Sequence, residues 1–158
     1  MLNKKWSSLD DERKTGGQKR GHFGEYFTEM QFMLQGFEVY KTVVDDRGID
    51  YIIRKPKGPF FEIQVKSVTG DINIKIDRDK FDITNKHLYL LAIKWIDDKE
   101  PEMYIIPSVK WAEPNKIFYD SGVDNNEPQF GLRLYKNNSE FLEPYLFENF
   151  ITEIKLIE

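Results

Sequence analysis

The sequence predicts an α/β domain, a single mixed sheet with a helix packed on it. Three observations carry this. A stretch at 21–35 has helical apolar spacing. Three consecutive stretches, 37–44, 49–54 and 60–67, have strand character and are joined by turn chemistry. The run His87-Leu88-Tyr89-Leu90-Leu91-Ala92-Ile93-Lys94-Trp95 is nearly all apolar, as a strand buried on both faces requires.

In the helix, Phe23, Phe27, Met30 and Leu34 recur at spacings of four, three and four, which predicts one apolar stripe. Glu25 falls off that stripe, in the predicted first turn, where a carboxylate suits the helix dipole. Gly36 is placed to stop the helix. Asp45-Asp46-Arg47-Gly48 reads as the turn between the first two strands, and Lys55-Pro56-Lys57-Gly58-Pro59 as the turn of a hairpin between 49–54 and 60–67.

Further along, Ile72, Ile74 and Ile76 alternate as a short strand. Asp77 is positioned to cap a short helix through about Phe81. Strands are expected at 103–106 and 129–135, with a short helix from Pro107 to Trp111 between them. Residues 113–128 read as a loop, 142–147 as a short helix or turn, and 150–157 as an edge strand. Residues 1–19 read as a partly ordered polar arm ahead of one domain spanning 20–158.

In Phe61-Glu62-Ile63-Gln64-Val65-Lys66, apolar and polar residues alternate, so Glu62, Gln64 and Lys66 share a face. Two readings stand: an edge strand with a solvated face, or a metal-and-lysine site. The hairpin sets Asp50 across from Gln64 and Lys66, which brings together a carboxylate, an amide oxygen and an ammonium.

Asp50, then a spacer, then Gln64-x-Lys66 resembles the PD-(D/E)XK nuclease superfamily, in the Gln-bearing form of Mrr-like restriction enzymes. Gly24-Glu25 in a helix, followed by Gly36-Phe37-Glu38-Val39, is similar to archaeal Holliday junction resolvases and to uncharacterised bacterial members of the superfamily. The match covers roughly residues 20–67.

The resemblance implies a restriction-endonuclease-like mixed β-sheet flanked by helices and a metal-dependent endonuclease acting on DNA, including branched or foreign DNA. It implies Mg2+ or Mn2+ held by Asp50, Gln64, the carbonyl of Val65 and Glu25, with Glu25, Asp50, Gln64 and Lys66 as catalytic residues. A homodimer follows by the same analogy. Gln64 departs from the usual carboxylate and removes one negative charge. Glu62, two residues earlier, either restores that charge or is solvated. Two other classes stay open: a decayed nuclease fold that binds nucleic acid, and a protein-interaction domain with an aromatic surface.

Composition narrows the chemistry. The chain has 158 residues, no cysteine and two histidines. Disulfides and thiolate or His-rich metal sites are therefore excluded, and oxygen ligands for a hard cation remain. Net charge is −4, but it is uneven. Residues 96–158 carry 6 Lys/Arg against 13 Asp/Glu, and the remaining 17 basic and 14 acidic residues leave 1–95 at +3. The candidate site thus sits in the basic part, as a nucleic-acid enzyme needs. Lys75, Arg78, Lys80 and Lys86 are candidates for a basic rim. No apolar run reaches the ~20 residues of a membrane span. The N-terminus lacks a signal-peptide core, and the expected location is the cytoplasm.

Overall fold

The computed structural model describes residues 4–10, 16–44 and 46–157. A five-stranded mixed sheet has the order β1-β2-β3-β5-β6, and a second sheet has the order β4-β8-β7. The large sheet comprises β1 (Glu38–Lys41), β2 (Tyr51–Arg54), β3 (Phe61–Thr69), β5 (Leu88–Trp95) and β6 (Glu102–Pro107). The small one comprises β4 (Asn73–Asp77), β7 (Phe118–Asp120) and β8 (Gln129–Arg133). Helices α1 (Gly16–Leu34), α2 (Ser139–Leu142) and α3 (Phe147–Ile157) complete the fold. This is the mixed α/β architecture expected, a mixed sheet flanked by helices. Among the described residues no helix is long and apolar enough to cross a membrane.

The meander forms as the turns direct. β1 pairs antiparallel with β2, and β2 with β3. Lys57 takes the left-handed conformation in the hairpin turn, and Gly58 N–H closes that turn on the carbonyl of Lys55 at 2.8 Å. β3 then pairs parallel with β5 along its length. β3 is therefore an inner strand, and the edge-strand reading of its alternation is overturned. Asp45 of the preceding turn lies outside the described residues, as do Asp11, Glu12, Arg13 and Lys14 of the N-terminal arm.

The sheet separates two apolar layers. On one side, Tyr51, Ile53, Ile63, Val65, Leu91 and Ile93 pack with Phe32 of α1 and with Phe147 and Ile151 of α3. On the other, Leu88, Leu90, Ala92 and Ile106 meet Ile74, Ile76, Phe130 and Leu132 of the small sheet. Burying such side chains contributes roughly 1.5–3 kcal/mol each.

α1 docks differently from the stripe the spacing predicts. Gly24, Thr28 and Phe32 are buried and Phe27 is half-buried, while Met30 and Leu34 are 54% and 75% exposed. Close approach decides this. A Cβ on Gly24 would stand 3.0 Å from Ser67 Oγ, so the glycine lets α1 lie against β3. Phe32 then meets Phe37 and Phe147 edge-on, each at 5.3 Å. α1 also begins at Gly16, so Glu25 is its tenth residue. The first-turn dipole explanation of Glu25 does not hold, because that effect fades within one turn. Gly36, at φ +80°, ends the helix, with Phe37 N–H bonded back to Phe32 O at 3.1 Å.

Two other expectations are corrected. Residues within 150–157 belong to helix α3, because Phe147, Ile151 and the half-buried Phe150 and Ile154 present one helical face to the core. The loop at 113–128 contains β7, which pairs with β8. The N-terminal arm packs where it is described. Trp6 lies 5.0 Å from Trp95 and donates from its indole N–H to Lys99 O at 2.9 Å.

One buried charge makes a testable contribution. Lys94 on β5 is 4% exposed; its ammonium pairs with Asp71 and donates to Leu134 O at 3.0 Å. The Lys94 hydrogen bond, and then the Lys136 backbone N–H at 3.2 Å, hold the Asp71 carboxyl below its usual value. A group whose pKa is lowered by folding stabilises fully above its unfolded value and loses that contribution as pH falls through the folded one. Urea unfolding should therefore show a falling midpoint on acidification below about pH 4. Asp71→Asn should flatten that acid limb; an unchanged limb removes the linkage.

Candidate active site at the Asp50–Gln64 split

Asp50 stands where the β2–β3 ladder ends. The last paired residues are Tyr51 and Ile63, and Asp50 N–H donates to Ile63 O at 2.9 Å instead of to the residue opposite it. Its side chain continues the pairing, with Oδ2 accepting from Val65 N–H at 2.6 Å. The two strands thus part around a carboxylate fixed on the backbone of β3. Thr42 ties the other side, donating its N–H to Asp50 O at 3.1 Å and its hydroxyl to Ile49 O at 2.5 Å.

Gln64 is 3% exposed, on the face of β3 opposite α1. Its Oε1 is buried and has no hydrogen-bond partner among the described residues. Such an orphaned acceptor costs on the order of 1–3 kcal/mol, and a residue that keeps it invites a ligand explanation. The segment before Asp50 wraps this amide. Gly48 is buried at φ +71°, and a Cβ there would stand 2.7 Å from Gln64 Nε2 and 2.9 Å from Lys80 O. Val65 turns its side chain into the helix-side core while its N–H holds Asp50. Lys66 is half-buried and, among the described residues, has no hydrogen bond or ion pair.

Glu25 approaches from α1. Its Oε2 is 3.4 Å from Lys41 Nζ of β1 and 3.9 Å from His22 Nδ1. Tyr51 links it to the split. This tyrosine is fully buried, and its hydroxyl lies 3.4 Å from Glu29 Oε2. Burial first, then the charges of Glu29, Glu25 and Asp50, push the Tyr51 phenol far above its ordinary value.

Glu62 is half-buried and accepts from Asn85 Nδ2 at 2.6 Å. Arg78 of the expected rim is committed to an ion pair with Asp120 and lies 4.5 Å from the Phe130 ring centroid. Lys75 and Lys86 remain exposed.

The donor set suits a hard divalent ion. It holds a carboxylate and an orphaned amide oxygen, with no thiolate. Among the described residues no three His, Cys, Asp or Glu side chains come close enough to hold a metal, so any ion there relies on Gln64. Sequence reasoning missed Gly48, Glu29 and Tyr51. Gly48 left a signal, a glycine following Asp-Asp-Arg, but its partner Lys80 lies more than thirty residues on. Tyr51 reads as an ordinary strand aromatic.

No family model and no curated protein matches this chain. Among solved structures it is similar to Hjc, a Holliday junction resolvase of the archaeal hyperthermophile Archaeoglobus fulgidus. The TM-score is 0.48 at 10% sequence identity, over 72% of this chain and 84% of that one.

Proposed function

We propose that the protein is a metal-dependent endonuclease of PD-(D/E)XK type acting on DNA, related to the Mrr-like and resolvase-like forms. The observation that carries it is the Gln64 oxygen and the Lys66 ammonium, both without partners among the described residues, flanking Val65 on β3, whose N–H holds the Asp50 carboxylate. Asp50, Gln64 and the Val65 carbonyl would hold Mg2+ or Mn2+. When bound, such an ion supplies Lewis acidity and lowers the pKa of water. Asp50 fixes the site's position through the β3 backbone. Lys66 directs its ammonium at the phosphate as negative charge grows on it. Glu25, paired with Lys41 at 3.4 Å, would hold the attacking water by a hydrogen bond.

A second reading is a nucleic-acid-binding module that has lost its chemistry. It is favoured by the neutral Gln64 and by the absence of a three-ligand cluster among the described residues.

The deciding experiment is cleavage of linear and branched DNA with magnesium and with manganese, beside thermal melts with and without metal. Cleavage by the parent is expected, and Lys66→Ala should lose about 10²-fold in rate, the effect of removing one preorganised charge. Gln64→Glu places a carboxylate at a buried position. It should melt lower than the parent without metal and gain more on adding magnesium, because the ion binds only the folded state. DNA binding without cleavage in any variant or metal selects the module; no DNA binding rejects both readings.

A further inference from the structure

On its second face the large sheet is packed by the small sheet over β5 and β6, and Gln64 and Val68 of β3 are buried there as well. Two exposed rings stand at the β1–β2 side of that face, Tyr40 of β1 at 47% and Phe60, just before β3, at 51%. The register fixes their side. Tyr40 stands opposite Ile52, Ile52 opposite Glu62, and Glu38 opposite Arg54. Residues at even spacing along β3 share this face, so Glu62 and Gln64 lie on it, and Phe60, one residue before β3, joins it through its contacts with Tyr40 and Arg54. The Tyr40 and Phe60 centroids are 6.5 Å apart, and the Arg54 guanidinium lies 4.7 Å from the Phe60 centroid while its Nε is paired with Glu38.

We propose that Tyr40, Phe60 and Arg54 form a stacking platform for unpaired nucleotides, so that the substrate carries a single-stranded segment next to the point of cleavage. This rests on the nuclease reading above. Exposed aromatic rings interleaved with a cation are what single strands require. Every base offers a π-face, and the guanidinium adds a cation–π contact. A fully paired duplex keeps its base faces inside the stack and cannot use such rings. The spacing suits the site. Phe60 is four residues from Gln64, roughly 13 Å along an extended strand, a reach of a few nucleotides. A protein partner fits less well. Two half-exposed rings present roughly 200 Å², well short of the ~800 Å² per side of a stable interface.

The test uses the full chain without divalent metal, so binding is read apart from cleavage. The probes are a blunt DNA duplex and the same duplex with a single-stranded tail containing a fluorescent adenine analogue. The parent should bind the tailed duplex about ten-fold tighter, within the range one stacked base contributes, and should quench the analogue. Tyr40→Ala and Phe60→Ala should each reduce that preference several-fold and together abolish the quench, with blunt-duplex affinity unchanged. Phe60→Trp should retain both. Both rings are exposed, so the variants should melt as the parent does.

Equal binding of tailed and blunt DNA by the parent, or variants that quench normally, overturns the platform while leaving the nuclease reading intact. Failure to bind any DNA overturns both. A dimer in solution that Phe60→Ala dissolves gives the face to a second copy and overturns the platform.

Discussion

Asp50→Asn should leave a folded protein that no longer cleaves, with the rate down at least 10³-fold. The two roles of Asp50 separate by chemistry. Its Oδ2 accepts the Val65 N–H at 2.6 Å, and an amide oxygen can still accept that bond. An asparagine, however, cannot replace its negative charge beside the neutral Gln64. Asp50→Ala removes both functions. It should lose the same activity and also about 1–3 kcal/mol of stability, because a buried backbone N–H is left unsatisfied. Urea unfolding of the two variants beside their cleavage rates checks this. If Asp50→Asn cleaves at the parent's rate, the assignment of Asp50 to the chemistry is lost. If Asp50→Ala melts with the parent, the clamp on Val65 has no structural weight.

Gly48→Ala should be the most damaging small substitution near the site. At φ +71° an L-residue costs on the order of 1–2 kcal/mol. The added methyl would also stand 2.9 Å from Lys80 O and 2.7 Å from Gln64 Nε2. A backbone carbonyl cannot swing away as a side-chain tip does, so the Gly48–Asp50 segment must move and the Gln64 amide with it. Stability should fall by about 2–4 kcal/mol in total, and cleavage should fall by more than the loss of folded protein explains. Gly70 is the control. It also has positive φ, at +75°, but a Cβ there meets nothing within 4 Å. Gly70→Ala should cost only the backbone strain and leave the rate per folded molecule unchanged. Equal effects at the two positions would show that Gly48 matters only as a turn residue.

These predictions separate what the residues decide locally from what the assembled fold decides. Local chemistry determined the β1–β2–β3 meander, the stop at Gly36 and the turn after Asp77. Asp77 does cap that turn, accepting from Asp79 N–H at 3.1 Å. Turn residues and the period of two act over a few positions, so they are legible in one sequence. The same logic marked β5 as buried on both faces.

The tertiary structure decided the rest. What covers the β5 face depended on β4 pairing with β8, residues 73–77 with 129–133, which no local pattern specifies. The Gly48 segment, held against Lys80 thirty-two residues on, wraps the Gln64 amide, whose oxygen has no hydrogen-bond partner among the described residues. The face α1 presents was decided by the close approach of Gly24 to Ser67, because packing follows the smallest contact as well as the largest side chains. At 150–157 the apolar residues fit either a strand or a helix. The aromatic layer of Phe37, Phe61 and Tyr89 around Phe150 favours the helix. The residues of the candidate site are legible in the chain, but their burial, their unsatisfied atoms and the surface beside them exist only once strands distant in sequence have paired.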